Sequence, residues 1–483
     1  MVRLPSWGCI SMSVISKLTS LAAAGSGGSN EYILTQESSS GSYNYQQFRN
    51  ACLVPDEGAL VVGRKARSSS YSDFDHTEKY RPDLTYVGGS QYVLDGTSNT
   101  KNQSGYPKLF ASTPTHDYDL LGPQTNEFKL YKVEDNSYGS GAGSVRNVAI
   151  NNLYTDEYNW QYNKTLTAYN IGDTVFIART GQYGGAIGSF KINATSGNQS
   201  SLQSISPGHQ NGRGSKGFVE VLPVDPTSTS TDHLCIHSAS GHTQMYKVDS
   251  NLAVTGTGWE LSSGTIVQYW ATSAIDRDNN ILYSFDGQNR RLFAWNYSNN
   301  TRTQYTVNFP SGSPTYSDYL VYMNGYLYMF VYGNSVGLYL IRVQTSNITG
   351  TEESYLLTNT SGYGVGNIAR QDGFLVEGPN TFLGDTDLFF LGFTNYTNSS
   401  GNFMRANLAC LKWDNIPQLA SYNNTLNVAS SSVSITSNGS VGNNTSSFGG
   451  DMYSANTIGN PYNQSANGST SENQAGTVTV TQI

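Results

Sequence analysis

The chain has 483 residues, 37% hydrophobic and only 13% charged, against roughly 45–50% apolar and about 25% charged in an average soluble protein. With 50 Gly, 34 Tyr and only 14 Pro, its polarity resides in small uncharged residues, a composition of short strands and tight turns that excludes an all-helical enzyme. A formal net charge of −8 leaves no basic surplus to neutralise phosphates, so no nucleic-acid partner is expected.

Length suggests about three domains at one per 150 residues, although all-β units often run to roughly 200–250. Cys9, Cys52, Cys235 and Cys410 stand far apart, which suggests neither a zinc knuckle nor a disulfide framework. No apolar run approaches the roughly 20 residues of a membrane span. Ser16 and Lys17 interrupt the N-terminal candidate, so neither a span nor a signal peptide is expected.

Residues 1–30 form the first unit. Ile10, Val14, Leu18 and Leu21 fall on one helical stripe, followed by Ala22-Ala-Ala-Gly-Ser-Gly-Gly28, which predicts a short amphipathic helix and a flexible linker. A helix this short needs a surface to bury its stripe, on its own propeller, on sister subunits or in a larger assembly, so two readings stand: an attachment peg for other proteins, or a frayed or uncleaved leader. Met12 is an alternative start to Met1.

Residues 31–415 are read as the body. From about residue 105 one rhythm recurs: apolar strand, polar or Gly-rich turn, second strand, Asn- or Ser-rich exit. It appears in residues 106–135, 173–198, 233–251, 278–300, 324–347 and 385–415. The spacing, about 45–70 residues, approaches the roughly 40–50 of a four-stranded propeller blade. Stacking such units around an axis covers their faces and leaves few edges, which predicts an all-β protein, a β-propeller of six or seven blades. Ala59-Leu-Val-Val-Gly63 and Gln91-Tyr-Val-Leu94 are candidate strands for a seventh blade or for closure. A parallel β-solenoid is the rival, but its rungs are shorter.

Residues 416–483 form a low-charge Ser/Asn/Gly/Thr-rich tail in which only Asp451 and Glu472 are charged. Ser432-Val-Ser-Ile-Thr436 and the alternating Thr477-Val-Thr-Val-Thr481 predict strands, the last of which could close the ring or pair with another subunit.

Chemistry-bearing clusters are few. His233, Cys235 and His237 alternate on a strand and His242 follows the turn, but ligands splayed about 7 Å apart along one strand do not converge on zinc, so they are read as packing. Asp276, Asp278 and Asn280 resemble the start of a calcium loop but lack its Gly and distant Glu, so a hairpin turn is expected. Asp73 and Asp75 beside His76, and Asp117 and Asp119 beside His116, cluster acids with histidine in the way a glycosidase or lyase pairs its carboxylates, but sequence does not bring the two clusters face to face, so polar loops are expected. Gly212-Arg-Gly-Ser-Lys-Gly217 departs from a phosphate loop. Tyr43, Tyr45 and Tyr363 are candidate exposed rings for recognition. No catalytic, cofactor or metal site is assigned.

The segment from Asp276 to Trp295, DRDNNILYSFDGQNRRLFAW, resembles the repeat of the NHL and YWTD propeller families. The N-terminal Ile15-Ser-Lys-Leu-Thr-Ser-Leu-Ala-Ala-Ala-Gly-Ser-Gly-Gly28 leading into a Tyr/Gly/Asn-rich propeller is similar to virion proteins of tailed bacteriophages that infect marine bacteria. That resemblance implies a non-enzymatic structural component of an extracellular particle, in the tail, fibre or baseplate region. It further implies a homo-oligomer bound to other virion proteins through residues 1–30 and touching a host-surface glycan or protein. The alternative is a secreted or cell-surface lectin-like propeller, and behind it a propeller glycosidase or lyase.

Overall fold

The computed structural model describes residues 29–37, 46–54, 57–67, 73–91, 108–112, 116–124, 127–134, 142–149, 166–171, 174–180, 187–193, 199–205, 218–239, 242–251, 254–261, 271–287, 289–310, 314–333, 336–360, 373–396, 404–440, 463–467 and 477–483. The N-terminal helix, with Ile10, Val14, Leu18 and Leu21, lies outside them, as do Tyr43, Tyr45 and Tyr363.

Strand β1 (Tyr32–Glu37) comes first, and four-stranded antiparallel units follow in chain order. The first sheet is β2 (Gln46–Val54), β3 (Ala59–Arg67), β4 (Asp73–Tyr80) and β5 (Tyr86–Gln91). The second is β6 (Lys108–Ser112), β7 (His116–Gln124), β8 (Glu127–Glu134) and β9 (Ala142–Ala149). The third is β10 (Leu166–Ile171), β11 (Thr174–Thr180), β12 (Ile187–Asn193) and β13 (Gln199–Ile205). The fourth is β14 (Phe218–Pro223), β15 (His233–Ala239), β16 (His242–Val248) and β17 (Val254–Leu261).

The fifth sheet is β18 (Ala271–Asp276), β19 (Ile281–Asp286), β20 (Arg291–Asn296) and β21 (Thr301–Asn308). The sixth is β22 (Pro314–Met323), β23 (Tyr326–Gly333), β24 (Gly337–Gln344) and β25 (Glu353–Asn359). The seventh holds β26 (Gly373–Glu377), β27 (Phe389–Tyr396) and β28 (Met404–Leu411) and takes β1 as its fourth strand. The tail then supplies β29 (Leu426–Ser430), β30 (Ser434–Ser440), β31 (Asn463–Asn467) and β32 (Thr477–Gln482), which add outermost strands to the sixth, fifth, second and seventh sheets in that order.

The first strand of each sheet touches the first strand of the next, from β2 through β6, β10, β14, β18 and β22 to β26, and β26 touches β2 again. This is an all-β propeller arrangement. Five of the six repeated segments are the second and third strands of a sheet, the pairs β11–β12, β15–β16, β19–β20, β23–β24 and β27–β28. The sixth segment differs: KLFAS is β6 and EFKLYKVE is β8, with β7 between them. The candidate strand Ala59–Gly63 is the start of β3, which pairs with β2 and β4 in the first sheet, outside the repeated segments. Of the candidate strand Gln91-Tyr-Val-Leu94, Gln91 is the last residue of β5 and residues 92–94 lie outside the described residues.

Burial explains the continuous apolar runs. In β23, Leu327, Met329 and Val331 join a cluster with Phe285 and Leu292 of the fifth sheet, while Tyr328 and Phe330 join one with Phe389 and Leu391 of the seventh. Both faces are covered, so the strand reads YLYMFVYG rather than alternating with polar residues. The closing interface follows the same logic, with Leu34 and Phe390 packed on Phe48, Leu60 and Tyr80.

The turns follow local chemistry. Asn324 and Gly325, at φ 50° and 79°, link β22 to β23 as a two-residue Asn-Gly hairpin that matches strand twist. In the fifth sheet three successive hairpins share one design. Asp276 accepts Asn279 N–H at 3.1 Å, Asp286 accepts Asn289 N–H at 3.2 Å, and Asn296 accepts Asn299 N–H at 3.2 Å. Each turn ends in a left-handed residue, Asn280, Arg290 or Asn300.

Candidate functional site: the closing seam

The seam is built where both parts of the closing sheet meet. Glu31, buried just before β1, accepts Lys412 N–H at 2.9 Å and the Asn415 amide at 2.8 and 2.9 Å. Its oxygens therefore hold the exit of β28, and Ser29 Oγ donates to it at 3.2 Å. On the other side of β1, Ile483 N–H donates to Glu31 C=O at 3.0 Å, and the Gln482 amide donates to Ser29 C=O. Strand β1 is thus paired along its whole length with β28 and with β32, in unbroken antiparallel register. The Lys412 ammonium meets Asp385 at 3.0 Å, and that contact raises its pKa.

The chain leaves the seam through a 3₁₀ helix, Trp413–Gln418, clamped onto the sixth sheet. The Arg342 guanidinium lies between the rings of Tyr326 and Trp413, 4.9 and 5.2 Å from their centroids. It also donates to both Glu353 oxygens at 2.8 and 2.9 Å, and Trp413 Nε1 donates to Glu353 at 3.0 Å. One guanidinium nitrogen, Nη2, serves both carboxylate oxygens, while the planar group lies against the two rings. Farther along, Asn423 donates to Asn395 and Asn407 at 3.1 and 2.7 Å and accepts from Arg405 at 2.7 Å. This buried amide network fixes the point where the tail turns back to become β29. Nothing in the sequence pattern singled out these asparagines, because a partner that far along the chain leaves no periodic signal.

The described members of the candidate ligand sets are structural. His233, Cys235 and His237 do share β15, and His242 begins β16 opposite Ala239. His233 is fully buried, its ring 4.9 Å from Phe176 and 5.6 Å from Tyr169 of the third sheet. Burial pulls its pKa down to about 4, and burial pushes the Cys235 thiol up to about 12. These are core side chains, and among the described residues no group of three or more His, Cys, Asp or Glu could hold a metal ion. The side chains of His237 and His242 lie outside the described set.

Asp276 is fully buried, with its second oxygen accepting the Asn279 amide at 2.9 Å, so it caps its hairpin. Burial first, then the Asp276 charge, pushes the Tyr322 hydroxyl up to about 12. Neighbouring Arg277 reaches the fourth sheet, donating to Pro223 and Val224 C=O at 3.0 Å each. Asp73, Asp75 and His76 lie on β4 of the first sheet, whereas His116, Asp117 and Asp119 lie on β7 of the second. The backbone thus puts the two acidic clusters on different sheets, neither of them on an innermost strand.

No protein-family signature matches the chain, and no curated protein does. Solved structures do. The Dos1 propeller is 8% identical with a TM-score of 0.39, the match covering 76% of this chain and 78% of that one. The Cps50 (Swd1) β-propeller domain from Myceliophteria thermophila is 9% identical with a TM-score of 0.37, covering 78% and 100%. A luciferin-regenerating enzyme is 12% identical with a TM-score of 0.33, covering 78% and 94%.

Proposed function

We propose that this chain is a non-enzymatic structural protein of a tailed-bacteriophage particle, in its tail, fibre or baseplate region. On this reading residues 1–28 are the attachment segment and the propeller is the body presented to the outside. The observation that carries it is the seam. β1 is held between β28 and β32, and Glu31 anchors its start, so anything N-terminal to Ser29 leaves the body from one fixed point. A peg needs such an origin, because force on it then loads a paired strand rather than a loose end. The seven sheets are read as seven blades of one ring, the last completed by β1.

Removing residues 2–28 tests this reading. The shortened chain keeps Glu31 and all of β1 with its pairing to β28 and β32, so it should fold, yet fail to enter particles when supplied in place of the full chain. Incorporation at the full-length level would contradict an attachment role.

A further inference from the structure

We propose that the outer edge of β32 is a self-association surface, onto which β32 of a second copy of this chain adds antiparallel about a two-fold axis at Val480. The inference rests on the reading of the chain as an oligomeric particle component and names the contact between its copies. Among the described residues β32 is the outermost strand of the seventh sheet. Ile483 N–H bonds Glu31 C=O, so the alternation of an antiparallel ladder turns the N–H and C=O of Val478, Val480 and Gln482 away from β1.

Natural sheet edges are blunted by charge, proline or a bulge. The strand Thr477–Gln482 contains no charged residue and no proline, and its pairing with β1 has no register shift. Val480 is 43% exposed and Val87, on β5 at the edge of the first sheet, 42%; they are the exposed large hydrophobics of the described residues. The strand of Val87 carries a register shift against β4 and that of Val480 carries none against β1.

The edge is complementary to itself. Pairing two copies antiparallel with Val480 opposite Val480 places Val478 opposite Gln482 of the second copy, so all the outward backbone groups of these residues find partners. Thr479 then faces Thr481 of the second copy, a favourable cross-strand pair. Symmetry of this kind closes a dimer and leaves no open fibre. A chain of net charge −8 repels its copies in general, and an uncharged edge is where two can approach.

Sedimentation velocity on the full chain and on Val480→Lys and Val480→Pro tests this, with thermal unfolding recorded for each. The wild type should show a concentration-dependent dimer. Val480→Lys sets two ammonium groups opposite each other and Val480→Pro removes an outward donor, so each should weaken dimerisation by about tenfold or more, with the unfolding temperature unchanged at a dilution where the wild type is monomeric. If Val480→Pro unfolds early, Val480→Lys decides. A wild type monomeric at every concentration, or a dimer that survives both changes, would overturn the proposal. This solution result is independent of whether residues 1–28 direct incorporation into particles.

Discussion

His233 ties a single proton to the stability of the ring. Its buried neutral imidazole has a pKa of about 4, below the roughly 6.5 of an unfolded histidine. Between those values the unfolded chain binds the proton and the folded chain does not, so stability falls as pH drops from about 6.5 to 4, by roughly 3 kcal/mol. Urea titrations across this range should show that loss, and His233→Phe, which keeps a ring against Phe176, should flatten it. An unchanged slope in the variant would move the effect to other groups. Gly392 makes a second test: a Cβ there would lie 2.3 Å from the Phe374 ring. Gly392→Ala should therefore cost about 1–3 kcal/mol by overpacking, read as a lowered denaturation midpoint.

At the scale of elements, the hairpins of the fifth sheet depend on their first side chain. Asp286→Ala removes acceptors for the Asn289 N–H and amide, at 3.2 and 2.6 Å, and should destabilise by about 1–2 kcal/mol in chemical denaturation. These strands were legible in the sequence because apolar runs such as ILYSFD and RLFAWN sit between Asp- and Asn-rich turns, and the chemistry of both is local. The second sheet was misread for the same reason. KLFAS and EFKLYKVE look like a hairpin, while His116–Gln124 between them is strand written in polar residues and Pro123. His233 and Cys235 are core side chains and Asp276 caps a hairpin, as their strand and turn spacing suggested. The Glu31–Asn415 and Asn395–Asn407–Asn423 contacts join residues far apart in the chain and were invisible to any window of sequence.

For the whole molecule, closure is the decisive feature. Two tail strands, β30 and β32, were legible from their alternation, but β29, β31 and the course of the tail were not: β29, β30, β31 and β32 add to the sixth, fifth, second and seventh sheets, a path no composition encodes. Deleting residues 477–483 leaves the outer side of β1 unpaired. Hydrogen exchange of the β1 amides that face β32 should then accelerate by about tenfold or more, with β23 and β24 little changed. Equal protection with and without these residues would mean that β28 alone holds the seam. The role in a particle is tested most directly by immunogold electron microscopy of purified particles, with antibody raised against the propeller body. Gold at the tail or its fibres is the predicted result, and gold absent from particles but present on cell surfaces or in the medium would contradict it.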